Sequence, residues 1–156
     1  MTTINDALNM QLAEMRLGSR VVSSAVADLN EGNITHAVDR FGEAFKFTDH
    51  ALGLEFNDKE RLGEFLRKSR ELFPDARLEL TAIFESGSHV IAEWNLTATH
   101  VELFWLGRER RLRRSLPGIS VVGITDGRIS EWSEYYDKLT ARRGRLADFF
   151  TEWTEQ

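Results

Sequence analysis

The dipeptide Asp126-Gly127 constrains this chain more than any other feature. It follows the apolar run 119–124 and precedes Arg128-Ile129-Ser130-Glu131-Trp132-Ser133-Glu134-Tyr135-Tyr136-Asp137. Two-residue hairpin loops favour turns whose central residues both take positive φ, a demand that Asp-Gly meets with little strain. A strand, a tight turn and a return strand are therefore expected. The return strand carries one Trp, two Tyr and three carboxylates. A sheet buries aromatic bodies readily, but a carboxylate among them must be exposed, paired or shifted in pKa. Asp137 is thus a candidate acid or base, and alternation places Tyr135 on its side of the strand, facing the interior.

Upstream, Phe45-Lys46-Phe47-Thr48-Asp49 alternates in the manner of a half-buried strand. If Phe45 and Phe47 face the core, Asp49 does too, and desolvation raises its pKa toward that of a useful base. A turn cap or an Arg pair is the structural alternative for Asp49. His50 has the opposite parity unless the strand bends there. From Arg77 the period is again two, through Leu78, Leu80, Ala82 and Phe84 to a turn at Glu85-Ser86-Gly87-Ser88. The following strand, His89 to about His100, sets Val90, Ala92, Trp94, Leu96 and Ala98 against a more polar face. His100 shares the apolar parity, where a hydrogen-bonded rim role competes with a catalytic one.

The segment 101–105 continues as strand or rim loop, and its Phe104 and Trp105 are suited to floor a pocket or cover a partner. Five arginines then cluster at Arg108, Arg110, Arg111, Arg113 and Arg114. Such a cluster can hold an anion through bidentate contacts. A solvated strand edge that discourages edge pairing is the commoner arrangement and the one expected here. Pro117-Gly118 is expected to bend the strand.

Helical spacing runs from Met1 to Leu29, with Gly18-Ser19 as a break that makes 1–18 an arm or helix extension. Asn33 is placed to cap a second short helix, and Asn57, with Glu60 three residues on, to cap a third that Pro74 ends. Residues 138–156 form an expected C-terminal helix whose Leu146, Phe149, Phe150 and Trp153 share a stripe suited to closing a core or to a dimer contact. This order implies a single α+β domain, 1–156. Its cone-shaped, curved mixed or antiparallel sheet would wrap around the N-terminal helices, with the C-terminal helix as an addition. Such a cone has an open mouth, and Phe47, Trp94, Phe104 and Trp105 are its expected lining.

Composition narrows the function classes. A net charge of -5 over 156 residues argues against a general nucleic-acid binder. Without cysteine there is no disulfide framework and no thiolate chemistry. The first residues lack the basic start and apolar run of a secretory signal, and no run approaches the roughly 20 apolar residues of a membrane span, so a cytoplasmic location is expected. His50, His100, Asp49 and Asp137 show no recognisable metal-ligand spacing, and no metal is expected.

The chain resembles the nuclear transport factor 2-like superfamily, and within it the SnoaL-like polyketide cyclases, related to the ketosteroid isomerases and limonene epoxide hydrolases. The resemblance spans roughly residues 20 to 140. It rests on the order and spacing of Glu31-Gly32-Asn33, Phe45 to His50, the Asp58 to Phe73 helix closing in Phe73-Pro74-Asp75, Trp94 to His100, and Trp132 to Asp137. It implies a cone-shaped fold, usually dimeric, with a hydrophobic small molecule in the cone and no cofactor. Asp49, sixteen residues before Phe65, matches the proton-shuttling carboxylate of the steroid isomerases. Asp137 resembles the carboxylate ending the corresponding strand in the cyclases and epoxide hydrolases, and His100 the His that often follows Thr-x-Thr.

Two departures accompany these matches. The Arg and Asp that epoxide hydrolases place two apart are absent from Trp94-Asn95-Leu96, and no carboxyl group stands near Gly118 to Ser120, where the steroid isomerases keep a neutral Asp. The leading expectation is an acid-base enzyme of cyclase or isomerase type. Asp49 or Asp137 would be its base, with His100, His50 or Tyr135 as acid or oxyanion donor. A non-catalytic binding or dimerisation module on the same fold is the rival, and an epoxide hydrolase with an altered site the third reading.

Overall fold

The computed structural model describes residues 16–137, with 102–105 described in backbone only. Helix α1 (Leu17–Glu31) and the short α2 (Ile34–Asp39) come first, then strands β1 (Phe41–Asp49) and β2 (Leu54–Phe56), and then α3 (Lys59–Leu72). A long meander follows: β3 (Arg77–Ser86), β4 (His89–Phe104), a 3-10 turn at Trp105–Gly107, β5 (Arg108–Thr125) and β6 (Arg128–Tyr136). The six strands form one curved, unclosed sheet in the order β2-β1-β6-β5-β4-β3. The β1–β6 pair is parallel and the other four neighbouring pairs are antiparallel, so the sheet is mixed and the fold α+β. The expected C-terminal helix at 138–156 and the arm before residue 16 lie outside the described residues. Among those described, no helix is long and apolar enough to cross a membrane.

Local chemistry accounts for most boundaries. Helix α1 buries Val22, Ala25 and Val26 and ends at Gly32, whose φ of 77° permits the left-handed cap. Its N-terminus has no side-chain cap of its own. Instead the Glu85 carboxylate on β3 accepts from the Ser19 amide at 2.9 Å and its hydroxyl at 2.8 Å, satisfying a helix end across the core. Asn33 occupies the N-cap position of α2, but its side chain donates to Glu31 at 3.1 Å and does not cap the helix. The cap of α3 is Asp58 rather than Asn57: its carboxylate accepts from the Arg61 amide at 2.9 Å. Asp126 (φ 51°) and Gly127 (φ 73°) both take positive φ, as the hairpin signal requires.

Strand β5 runs through Pro117 without a break. Its last pairing with β6 is Gly118 with Tyr136, so Pro117 lies on the half of β5 that, among the described residues, has only β4 beside it. A missing ladder donor is tolerated at such an edge. The β5–β6 pair also contains a bulge. Ile124 pairs with Ile129 and Gly123 with Glu131, leaving Ser130 without a partner. One extra residue reverses the facing of everything beyond it, so Ile129 and Trp132, three apart, are both buried.

The core lies between the helices and the concave sheet face, where Val22, Leu62, Val90, Val122 and Ile129 are fully buried. Removing the Asp58 carboxylate tests the local argument. Asp58→Ala should lower stability by about 1 kcal/mol, seen as a fall in Tm of roughly 2–4 °C with no change in ligand binding.

Candidate functional site

The parallel register pairs Phe47 with Trp132 and Asp49 with Glu134. Because the bulge at Ser130 turns Trp132, Glu134 and Tyr136 inward, Asp49 and Glu134 stand side by side on one face, on neighbouring strands. Like charges so placed repel, and the surrounding groups show how the repulsion is met. Asp49 is 3% exposed. Its Oδ2 accepts from the Tyr136 hydroxyl at 2.5 Å and its Oδ1 from the Leu52 amide at 2.9 Å. The second bond closes the turn after β1, so Asp49 caps a turn and faces the site at once. Glu134 is half-buried and accepts from Trp132 Nε1 at 3.0 Å.

Burial raises the Asp49 pKa against the lowering effect of the Tyr136 and Leu52 bonds. Burial, with the neighbouring Asp49 charge added, pushes Glu134 up to about 8. Tyr136 is raised by burial and by the same charge, which keeps its proton available for donation. Both carboxyl groups are thus shifted toward their protonated forms, and the donors around Asp49 favour its anion, so a proton shared by the pair is favoured on Glu134.

These three groups border a cavity of about 240 Å³ between sheet and helices. Its walls are mostly apolar, with Leu29, Phe65, Leu66, Phe73, Leu96 and Leu116 among them. Trp94 fixes one side. Its indole lies over Gly118, where an added Cβ would come within 2.3 Å of the ring, and its Nε1 donates to Ser120 at 2.8 Å. The ring meets Tyr136 at a centroid distance of 6.0 Å. An indole thus fills the region of Gly118 to Ser120. His100, buried, lines the cavity against Phe73, their rings 5.1 Å apart.

Of the residues expected at the site, Asp49, His100 and Trp94 meet at the cavity. Phe47 does not; it is buried behind it against Phe56, at 6.1 Å. The expected inward facing of Tyr135 and Asp137 is corrected. Tyr135 is 47% exposed and stacks on His50 at 4.5 Å on the outer face, and Asp137 is exposed beyond the end of β6. His50 is exposed in the turn after β1. The side chains of Phe104 and Trp105 lie outside the described residues. Glu134 and Tyr136 were missed, although Ile129 and Trp132, large apolar residues three apart in a strand, already signalled a bulge. Among the described residues no group of three or more His, Cys, Asp or Glu converges in a way that could hold a metal ion.

A curved sheet that closes over helices around one apolar cavity defines a class of small ligand-binding α+β domains. The SnoaL-like domain family matches residues 22–132, and the chain belongs to that family. A Shewanella putrefaciens CN-32 protein called a SnoaL-like polyketide cyclase superposes with a TM-score of 0.73 at 12% identity, covering 90% of this chain and 94% of that one. A Catenulispora acidiphila DSM 44928 protein with a ketosteroid isomerase-like fold, solved with trimethylamine, gives 0.65 at 16% identity, covering 75% and 85%. A Streptomyces galilaeus protein called a hydroxylase gives 0.65 at 17%, covering 84% and 83%. At these identities the likeness shows the fold alone. No curated protein matches the sequence.

The carboxylate pair leaves a signature in stability. Glu134 binds its proton more tightly when folded, so the folded state holds more protons than the unfolded one between the ordinary glutamate range and about pH 8. Unfolding free energy should fall as pH rises through that window and level off above it. Glu134→Gln should flatten most of this slope in denaturant titrations from pH 5 to 9; a slope unchanged by the substitution would remove Glu134 as its source.

Proposed function

We propose that the protein is a cofactor-independent SnoaL-like enzyme that moves a proton at a carbon beside a carbonyl in a hydrophobic small molecule. The observation that carries this reading is the in-register pair of Asp49 and Glu134, with Tyr136 bonded to Asp49, at an apolar cavity. Neighbouring strands lie about 4.8 Å apart, a spacing that lets one carboxylate address an α-carbon and the other the adjacent carbonyl oxygen. In the forward step Asp49 takes the α-proton, the C–H electron pair becomes the new C=C bond, and the carbonyl oxygen takes the Glu134 proton. The product is an enol, and the two carboxyl groups have exchanged protonation states. Return of the proton to a different carbon gives an isomer, and attack of the enol on a second carbonyl gives a ring. His100, on β4, is the proposed donor to that second carbonyl.

The cyclase name of the Shewanella protein agrees with this chemistry, whereas the hydroxylase name of the Streptomyces one shows that the fold is not tied to it. Asp137 and Tyr135 are not carried into the mechanism because they do not line the cavity. The epoxide hydrolase reading depends on an Arg reaching Asp137, and no step of the mechanism is built on it.

Deuterium uptake at the α-carbon, followed by NMR in D₂O over a panel of apolar β-diketones and β-keto esters, reads the proposed step directly. Wild-type protein should accelerate exchange on at least one compound, and Asp49→Asn should slow it by about 10²- to 10⁴-fold. An unchanged rate would sink Asp49 as the base. Saturable binding without any exchange would support the rival, a binding module.

A homodimer belongs to the same proposal. On the outer sheet face Phe84 pairs with Ile91 and Ile119 with Tyr135, all four exposed, which makes an apolar band that a second copy could cover. Light scattering should give twice the 17.9 kDa chain mass and, for Ile119→Glu, a shift toward monomer. A monomeric wild type would refute this.

A further inference from the structure

The five-arginine cluster on β5 does not act as one surface. Residues 108–117 pair with β4 alone, and their burial alternates: Arg111, Arg113 and Ser115 are exposed, whereas Leu112, Arg114 and Leu116 are half-buried. Arg113 points outward to Thr97 Oγ1 at 3.0 Å and to Asp75 at 3.4 Å. Arg114 points the other way. It lines the cavity, and its Nε is buried. The solvated-edge expectation thus holds for its neighbours and fails for Arg114.

The register locates Arg114 relative to the carboxylate pair. Along β5, Gly118 pairs with Tyr136, and Arg114 stands four residues away, opposite Ala98. Four residues of strand span roughly 13 Å, with Leu116 and Leu96 between. Ala98 is small and leaves the space beside the guanidinium open to a ligand. On α3, Arg70 also lines the cavity, held by the Ala76 carbonyl at 3.0 Å and the Asn30 carbonyl at 3.1 Å. Ala76 immediately precedes the Arg77–Thr97 pair, so this second cation belongs to the Arg114 end. One end of the cavity therefore carries two guanidinium groups, the middle is apolar, and the other end carries two carboxyl groups.

We propose that Arg114 forms an anion subsite, and that the ligand is an amphiphile with a carboxylate, or an oxyanion of like geometry, at the end remote from Asp49 and Glu134. A guanidinium has five N–H donors, enough to keep a protein contact and still present two to a carboxylate. Repulsion from the shared negative charge of Asp49 and Glu134 adds to attraction at Arg114, so the field of the cavity selects one orientation. The placement of the ligand carbonyl at the carboxylate pair rests on the proton-transfer reading; the anion subsite does not.

Binding read without turnover separates the two. Calorimetry at pH 7 would compare 4-phenylbutanoate with its neutral isostere 4-phenylbutanamide on the full chain. The wild type should prefer the acid by about ten- to a hundred-fold, as a charge-assisted pair predicts. Arg114→Gln should erase the preference while leaving the amide within about two-fold of wild type, and Arg114→Lys should keep part of it. A wild type that takes neither probe better than the other, or a preference intact in folded Arg114→Gln, overturns the subsite. A preference lost in Arg114→Gln while Asp49→Asn leaves deuterium exchange untouched would uphold the subsite and reject the proton-transfer reading.

Discussion

The parallel pairing of β1 with β6 is the constraint on which the site depends. Every other neighbouring pair in the sheet is antiparallel, and four of the six strands form a simple meander. Only the β1–β6 pairing brings residue 49 beside residue 134, and it does so because the chain's last described strand returns to the middle of the sheet. Two carboxylates in register would repel if both were charged in a dry setting. The fold answers with donors for one of them, Tyr136 and the Leu52 amide at Asp49, and with burial that pushes the pKa of the other up to about 8. The result is two adjacent carboxyl groups in unlike surroundings, set side by side by the register.

Much of this was legible in the sequence, and the failures share a cause. The Asp126-Gly127 turn, the alternation from Val90 to His100 and the inward facing of Asp49 follow from local periodicity, and each appears as expected. Periodicity carries an argument only as far as the strand stays regular. Ser130 interrupts β6, so a strict period of two placed Tyr135 and Asp137 inside and left Glu134 and Tyr136 unnoticed. Pro117 sits inside β5 for a reason that periodicity does not give. A proline argues against a strand only where both neighbours require its N–H, and the sequence does not say that β6 ends one residue short of it. At Asn57-Asp58 both residues are good caps, and only the backbone decides between them.

The large side chains of the cone divide between two tasks. Phe41, Phe45, Phe47, Phe56 and Trp132 pack in successive contacts of 4.9 to 6.2 Å and fill one end. Trp94, Phe65 and Phe73 border open space at the other. The cone is thus neither wholly plugged nor wholly hollow. Phe47 immediately precedes the site on the same face of β1, and Trp132 does so on β6, so Asp49 and Glu134 stand at the boundary where aromatic packing stops and the cavity starts.

That boundary explains why the carboxylates are both perturbed and usable. Deeper among the rings they would be dry and neutral; at the mouth they would be solvated and near their ordinary pKa values. At the floor of a small apolar cavity they keep contact with a ligand while one wall of rings removes water from behind them. Filling the cavity removes the remaining water, which strengthens the Asp49–Glu134 repulsion and the pull of Arg114 together. A ligand that brings its own negative charge to Arg114 therefore meets the cavity in the orientation that sets this charge at the guanidinium and away from the carboxyl pair. One that brings none forgoes the charge-assisted contact at that end. The same low dielectric that raises the Glu134 pKa thus makes the charge at the far end a criterion for entry.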